Sequence, residues 1–175
     1  CDMTYMSVAR LRSQEHTMLK PNVRAIIEQH LEGINIRGYA GKFLDIGAWN
    51  GEWCAILQRL FGNLMAVEPN ELRFAKLLTK MSEHGSKVDC VQATMEQLMD
   101  DPDTFPTNRP HVAFLGHVLP LLNIRDKEAL QRTMDALDDN GIAIVILNDD
   151  DTSNTLDVIC HEFGEAPRIL PPGPT

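Results

Sequence analysis

Five short apolar runs punctuate the chain: Phe43–Gly47, Leu64–Glu68, Val88–Gln92, His111–Leu115 and Ile142–Leu147. Each has the length of a strand. The last, Ile-Ala-Ile-Val-Ile-Leu, holds no polar residue, as a strand buried on both faces requires. Between the runs, apolar residues return every three or four positions, the helical period. Helices are expected over about 51–61, 70–83, 95–99, 125–138 and 152–164. In the second, Leu72, Ala75, Leu77 and Leu78 should face inward; in the fourth, Leu130, Met134 and Leu137. Gly62-Asn63, His84-Gly85 and Asp138-Asp139-Asn140-Gly141 supply the stops and turns. Residues 102–110, with prolines at 102, 106 and 110, read as a surface loop.

Before the first run, Val23, Ile26, Ile27 and Leu31 form a one-sided stripe that opens after Pro21-Asn22. Residues 1–40 are therefore expected to be a helical lid or cap, and 41–175 the core of what is overall a single domain. Strands alternating with helices imply an α/β architecture: a doubly wound parallel sheet of about five strands with N-terminal helices.

The chemistry concentrates in one stretch. The first run passes into Asp45-Ile46-Gly47-Ala48-Trp49-Asn50-Gly51, and the second ends in Glu68. Strand, glycine turn, helix, strand, acid is how a parallel α/β domain builds a nucleoside pocket at the carboxyl ends of its first two strands. A carboxylate at Glu68 can accept hydrogen bonds from two ribose hydroxyls. The dinucleotide fingerprint, G-x-G-x-x-G, is absent: Trp49 stands at the middle glycine, and no third glycine follows at the right step. A ligand with a ribose but no pyrophosphate fits better.

On these residues the chain resembles the class I S-adenosylmethionine-dependent methyltransferases, whose fold is Rossmann-like. Their first motif reads Asp/Glu-x-Gly-x-Gly-x-Gly, and an acid ends their second strand. Asp45, Gly47, Gly51 and Glu68 match; Trp49 departs. The resemblance implies S-adenosyl-L-methionine as cofactor. Gly47, Ala48 and Gly51 would meet its methionine part, with Asp45 orienting that loop. Glu68 would take the ribose. Pro69 and Asn70 would line the adenine edge, with Thr94 and Met95 touching adenine; a helix-capping threonine and a core methionine are the structural alternatives for that last pair. Gly116 and His117 would face the methyl group, with His117 the catalytic candidate. The usual antiparallel hairpin after the last strand is missing from the sequence, which leaves a trimmed chain, a disordered end or a minimal version open.

A looser resemblance is to the histamine N-methyltransferase-like family. It rests on Glu68-Pro69-Asn70, on Phe114 through Asp126, and on His161-Glu162-Phe163-Gly164. It implies a small amine acceptor. Glu15, in Glu15-His16, would be the amine-binding acid, with Tyr5 near the acceptor. Leu119 stands where that family has a substrate-contacting glutamine.

Composition narrows the partners. The chain has 175 residues, is 43% apolar, and carries a net charge of -9. That field repels a phosphate backbone and favours a cationic small molecule. No apolar run approaches the roughly 20 residues that span a bilayer. The polar start carries no signal peptide, and opening on Cys1 points to trimming. Cysteines at 1, 54, 90 and 160 show no metal-ligand spacing, so free thiols in a reducing, cytoplasmic setting are expected. Asp149-Asp150-Asp151 reads as a loop and helix cap, with no metal. Two rivals to a small-molecule methyltransferase stand: an RNA cap or RNA methyltransferase domain, and a non-catalytic partner that keeps the fold and binds the cofactor.

Overall fold

The structure is a computed structural model that describes residues 5–11, 25, 28–29, 32, 42–85, 87–101, 109–116, 126–139, 141–148 and 168–169. Its strands are β1 (Tyr5–Leu11), β2 (Phe43–Ile46), β3 (Leu64–Val67), β4 (Asp89–Val91), β5 (Val112–Gly116), β6 (Ile142–Asn148) and β7 (Arg168–Ile169). Its helices are α1 (Cys54–Phe61), α2 (Glu71–Glu83), α3 (Met95–Asp100) and α4 (Asp126–Ala136). The strands form one sheet in the order β4-β3-β2-β5-β6-β1-β7. Every pairing among the described residues is parallel.

The five expected strands are all present, and alternation explains their apolar runs. Leu44, Ile46, Met65, Val67, Ala113, Leu115 and Val145 point to one face, where Leu98 of α3 and Ala129 and Leu130 of α4 close the core. Phe43, Leu64, Ala66, Phe114, Ile144 and Ile146 point to the other, against Ile56 and Leu57 of α1 and Leu77 and Met81 of α2. Successive side chains on a strand face opposite ways, so a strand covered on both sides must be apolar throughout.

Capping sets where the helices begin. Asn70 Oδ1 accepts from Arg73 N at 3.1 Å at the start of α2. Thr94 and Gln97 form a reciprocal capping box at the start of α3: Gln97 N donates to Thr94 Oγ1 at 3.1 Å, and Thr94 N to Gln97 Oε1 at 2.9 Å. On α2 the inward stripe is narrower than expected. Leu72 is 76% and Leu78 45% exposed, and Ala75 is exposed too. Leu77 and Met81, one turn apart, do the burying. Leu78 and Leu72 lie about 100° and 140° around the helix from Leu77.

The N-terminal segment departs further. Residues 5–11, expected to be helical, form β1, pairing from Tyr5↔Ile142 to Leu11↔Asn148. The ladder to β6 satisfies main-chain groups along seven residues at once, and this long-range gain overrides a weak helical preference. The two-residue β7 extends the same edge, pairing Ala9 with Arg168 and Arg10 with Ile169. Ala25, Glu28, Gln29 and Glu32 are helical, as the apolar stripe predicts. Glu28 and Glu32 pair with Arg59 in the last turn of α1. That turn sits at the amino-end side of the sheet, so this part of the expected lid packs away from the carboxyl ends. The expected helix over 152–164 and the acidic run 149–151 lie outside the described residues.

At the amino edge, His111 is buried and its Nδ1 lies 2.9 Å from Asp138 Oδ2. His111 O accepts from Ile142 N at 2.7 Å. Among the described residues, no helix is long and apolar enough to cross a membrane, and Cys54 and Cys90 are free thiols.

Candidate functional site

The carboxyl ends of β2, β3, β4 and β5 lie side by side, with Ile46 paired to Val67 and Val67 to Val91. Residues 47–51 turn tightly above them. Gly47 N and Ala48 N both donate to Val67 O at 2.9 Å, and Gly51 N donates to Ala48 O at 2.8 Å. The turn is left-handed at three positions: Gly47 (φ 74°), Trp49 (φ 53°) and Gly51 (φ 75°). Two are glycines, which adopt this region without penalty; the tryptophan is strained there by about 1–2 kcal/mol.

Gly51 is required twice over. A β-carbon there would lie 2.8 Å from Leu77 Cδ1 and 3.0 Å from Met81 Cε, besides the positive φ. Gly51→Ala is expected to destabilise the fold by about 1–3 kcal/mol in urea unfolding, with the loss felt at the loop and α2 together.

Glu68 follows β3 and is 2% exposed. Its Oε2 accepts from Trp49 N at 2.9 Å and its Oε1 from Asn70 N at 2.9 Å. The carboxylate is thus oriented by main-chain donors on both flanks, with one further acceptor position left on each oxygen. Arg73 caps the arrangement: its Cζ lies 4.0 Å from the centroid of the Trp49 ring, a cation–π contact.

Behind the loop lies a second buried acid. Asp45 is 2% exposed and accepts from Cys54 Sγ at 3.3 Å. Burial pushes its carboxyl up to about 7; the thiol bond lowers it, and the nearby charge of Glu68 raises it. Burial, then the charge of Asp45, pushes the Cys54 thiol well above the ordinary cysteine range. Cys54 therefore stays protonated and serves as a donor, not a nucleophile.

The remaining expected residues divide. Pro69 is exposed beside Glu68, and Gly116 is buried at the end of β5. Thr94 is occupied in the capping box, and Met95 is 2% exposed in the core. Tyr5 pairs with Ile142 at the amino end of β6, the edge opposite Glu68, and is not brought to the other residues. His117, Leu119 and Glu15 lie outside the described residues.

Four features here escaped the sequence reading: the main-chain grip on Glu68, the Trp49–Arg73 contact, the Asp45–Cys54 bond, and two buried acceptors. Asn50 Oδ1, on the loop after β2, and Glu96 Oε1, in α3 after β4, are buried with no hydrogen-bond partner among the described residues. A cleft lined by Asn50, Glu52, Lys76, Thr79 and Lys80, among others, contains none of the expected site residues.

No known family profile matches the sequence. No curated protein matches it either. Solved structures do. A precorrin-6y C5,15-methyltransferase from Geobacter metallireducens aligns with a TM-score of 0.61 at 17% identity, over 87% of this chain and 74% of that one. An rRNA methylase from Streptococcus thermophilus aligns at 0.58 and 18%, over 85% and 82%. The plantazolicin methyltransferase BamL, solved with a triazolic desmethylPZN analogue and S-adenosylhomocysteine, aligns at 0.56 and 17%, over 79% and 51%. At these identities the likeness is one of fold: the chain is built on the α/β sheet that these methyltransferases share.

Proposed function

We propose that this chain is an S-adenosylmethionine-dependent methyltransferase that acts on a small molecule, an amine first among candidates. The observation that carries the reading is Glu68, held at the end of β3 by two main-chain donors beside a left-handed glycine loop. Each of its oxygens retains one acceptor position, which suits the vicinal hydroxyls of a ribose. The orphaned acceptors Asn50 Oδ1 and Glu96 Oε1 suit a donor-rich ligand, such as one bearing an ammonium and an adenine amino group.

When bound, S-adenosylmethionine supplies a methyl group already activated on a sulfonium. The protein's task is then alignment and exclusion of water. In this proposal Glu68 anchors the ribose. Gly47, Ala48 and Gly51 let the backbone come close to the methionine part. Asp45, bonded to Cys54, supports that loop from behind. Gly116, which ends β5, and His117, which follows it, would stand beside the reacting centre, with His117 able to take a proton from the acceptor or to shape the pocket. Pro69 borders adenine, while Thr94 and Met95 contribute through their backbone. Glu15 remains the acid for a cationic acceptor, with Leu119 on the acceptor side; Tyr5, at the opposite edge, has no part.

The net charge of -9 supports a cationic acceptor. RNA is the second reading, favoured by the similarity to an rRNA methylase and opposed by that charge. Calorimetric titration with S-adenosylmethionine, S-adenosylhomocysteine and NAD tests the pocket. Binding of the first two and not the third is the expected result. Methyl transfer to amines or to RNA, under varied salt, then decides the acceptor. Binding without transfer to either would point to a non-catalytic partner.

A further inference from the structure

Trp49 is the one non-glycine residue with positive φ among the described residues, and it stands beside the acid on which the proposed function rests. Its N–H holds Glu68 Oε2, and its ring is covered by Arg73 at 4.0 Å. Arg73 is in the first turn of α2, whose cap, Asn70, donates its own N–H to Glu68 Oε1. Each carboxylate oxygen is thus gripped from a different segment, and the ring–guanidinium contact ties the glycine loop to α2 beside the acid. The carboxylate beside this contact is 2% exposed, so a ligand that must reach its free acceptor positions needs its cover opened.

We propose that Trp49 and Arg73 form a latch over Glu68, and that a ribose-bearing ligand binds only after this contact has parted. The inference rests on Glu68 as the ribose acid. A ligand that selects the open form binds with an affinity reduced by the fraction of protein that is open. Removing the latch should therefore tighten binding.

Arg73→Ala tests this, with Arg73→Lys as the variant that keeps a cation. Arg73 is half-exposed near the helix start, so neither change threatens the core. The probe is S-adenosylhomocysteine, titrated calorimetrically. Arg73→Ala is expected to bind it about two- to fivefold more tightly, the range of an exposed cation–π contact, and Arg73→Lys to lie between alanine and wild type. A second readout needs no ligand. The chain has two tryptophans, hence two indole N–H resonances, and Arg73→Ala should shift that of Trp49 while leaving that of Trp53 in place. Unchanged or weaker binding by Arg73→Ala, with wild type binding normally, overturns the latch alone. Failure of wild type to bind S-adenosylhomocysteine overturns the ribose reading and the latch with it.

Discussion

Glu68→Gln is expected to weaken S-adenosylmethionine binding by about a hundredfold or more, and to cost the free protein about 1–3 kcal/mol. Both effects come from one geometry. Oε1 and Oε2 each accept a main-chain N–H at 2.9 Å, from opposite sides. Glutamine offers one oxygen and one amide, so whichever way it turns, a buried N–H meets another donor. The charge that would strengthen two ribose hydrogen bonds is lost as well. Calorimetry with the cofactor, paired with urea unfolding of the free protein, separates the two losses. Unchanged affinity would remove Glu68 from the pocket, whatever the stability shows.

Asp45→Asn should reverse the usual expectation that removing a buried group destabilises. Burial raises the Asp45 carboxyl from an ordinary 3.8 to about 7. The folded state therefore holds a proton that the unfolded state releases above pH 4. Stability contributed by the neutral acid is present below pH 4. It is lost as pH rises toward 7, then levels off, by which point the cost of the buried charge is on the order of 3–4 kcal/mol. Asparagine carries no such cost and still offers an oxygen to Cys54 Sγ. Urea unfolding at pH 8 should show the variant more stable than wild type, and at pH 4 the two should be close. A variant less stable at both pH values would mean that a charged Asp45 is compensated in the fold. Glu68 couples to the result, because its charge helps to raise Asp45.

The central strands were legible because parallel strands covered on both faces are apolar at every position; Ile142–Leu147 could scarcely be anything else. Gly47, Gly51 and Glu68 were legible because a left-handed turn and a strand-end acid each demand particular residue types. The grip on Glu68 was not, since main-chain N–H groups belong to every residue and leave no mark in a sequence. Thr94-Met95-Glu96-Gln97 spells a capping box, and that local rule accounts for the Thr94 side chain. Tyr5–Leu11 was misread because its partner is β6, at the other end of the chain, and no local period announces such a pairing.

That pairing has a consequence for biogenesis. β1 leaves the ribosome well before β6, yet it has no sheet neighbour until Ile142–Asn148 emerges. Until then its backbone is uncommitted, and once β6 appears, that strand, apolar from Ile142 to Leu147, offers a bare edge for as long as its pairing with β1 is delayed. Bare apolar edges recruit other chains. Deleting residues 5–11, or masking them with a bulky fusion, is therefore expected to send the protein to the insoluble fraction, even though these residues lie far from Glu68.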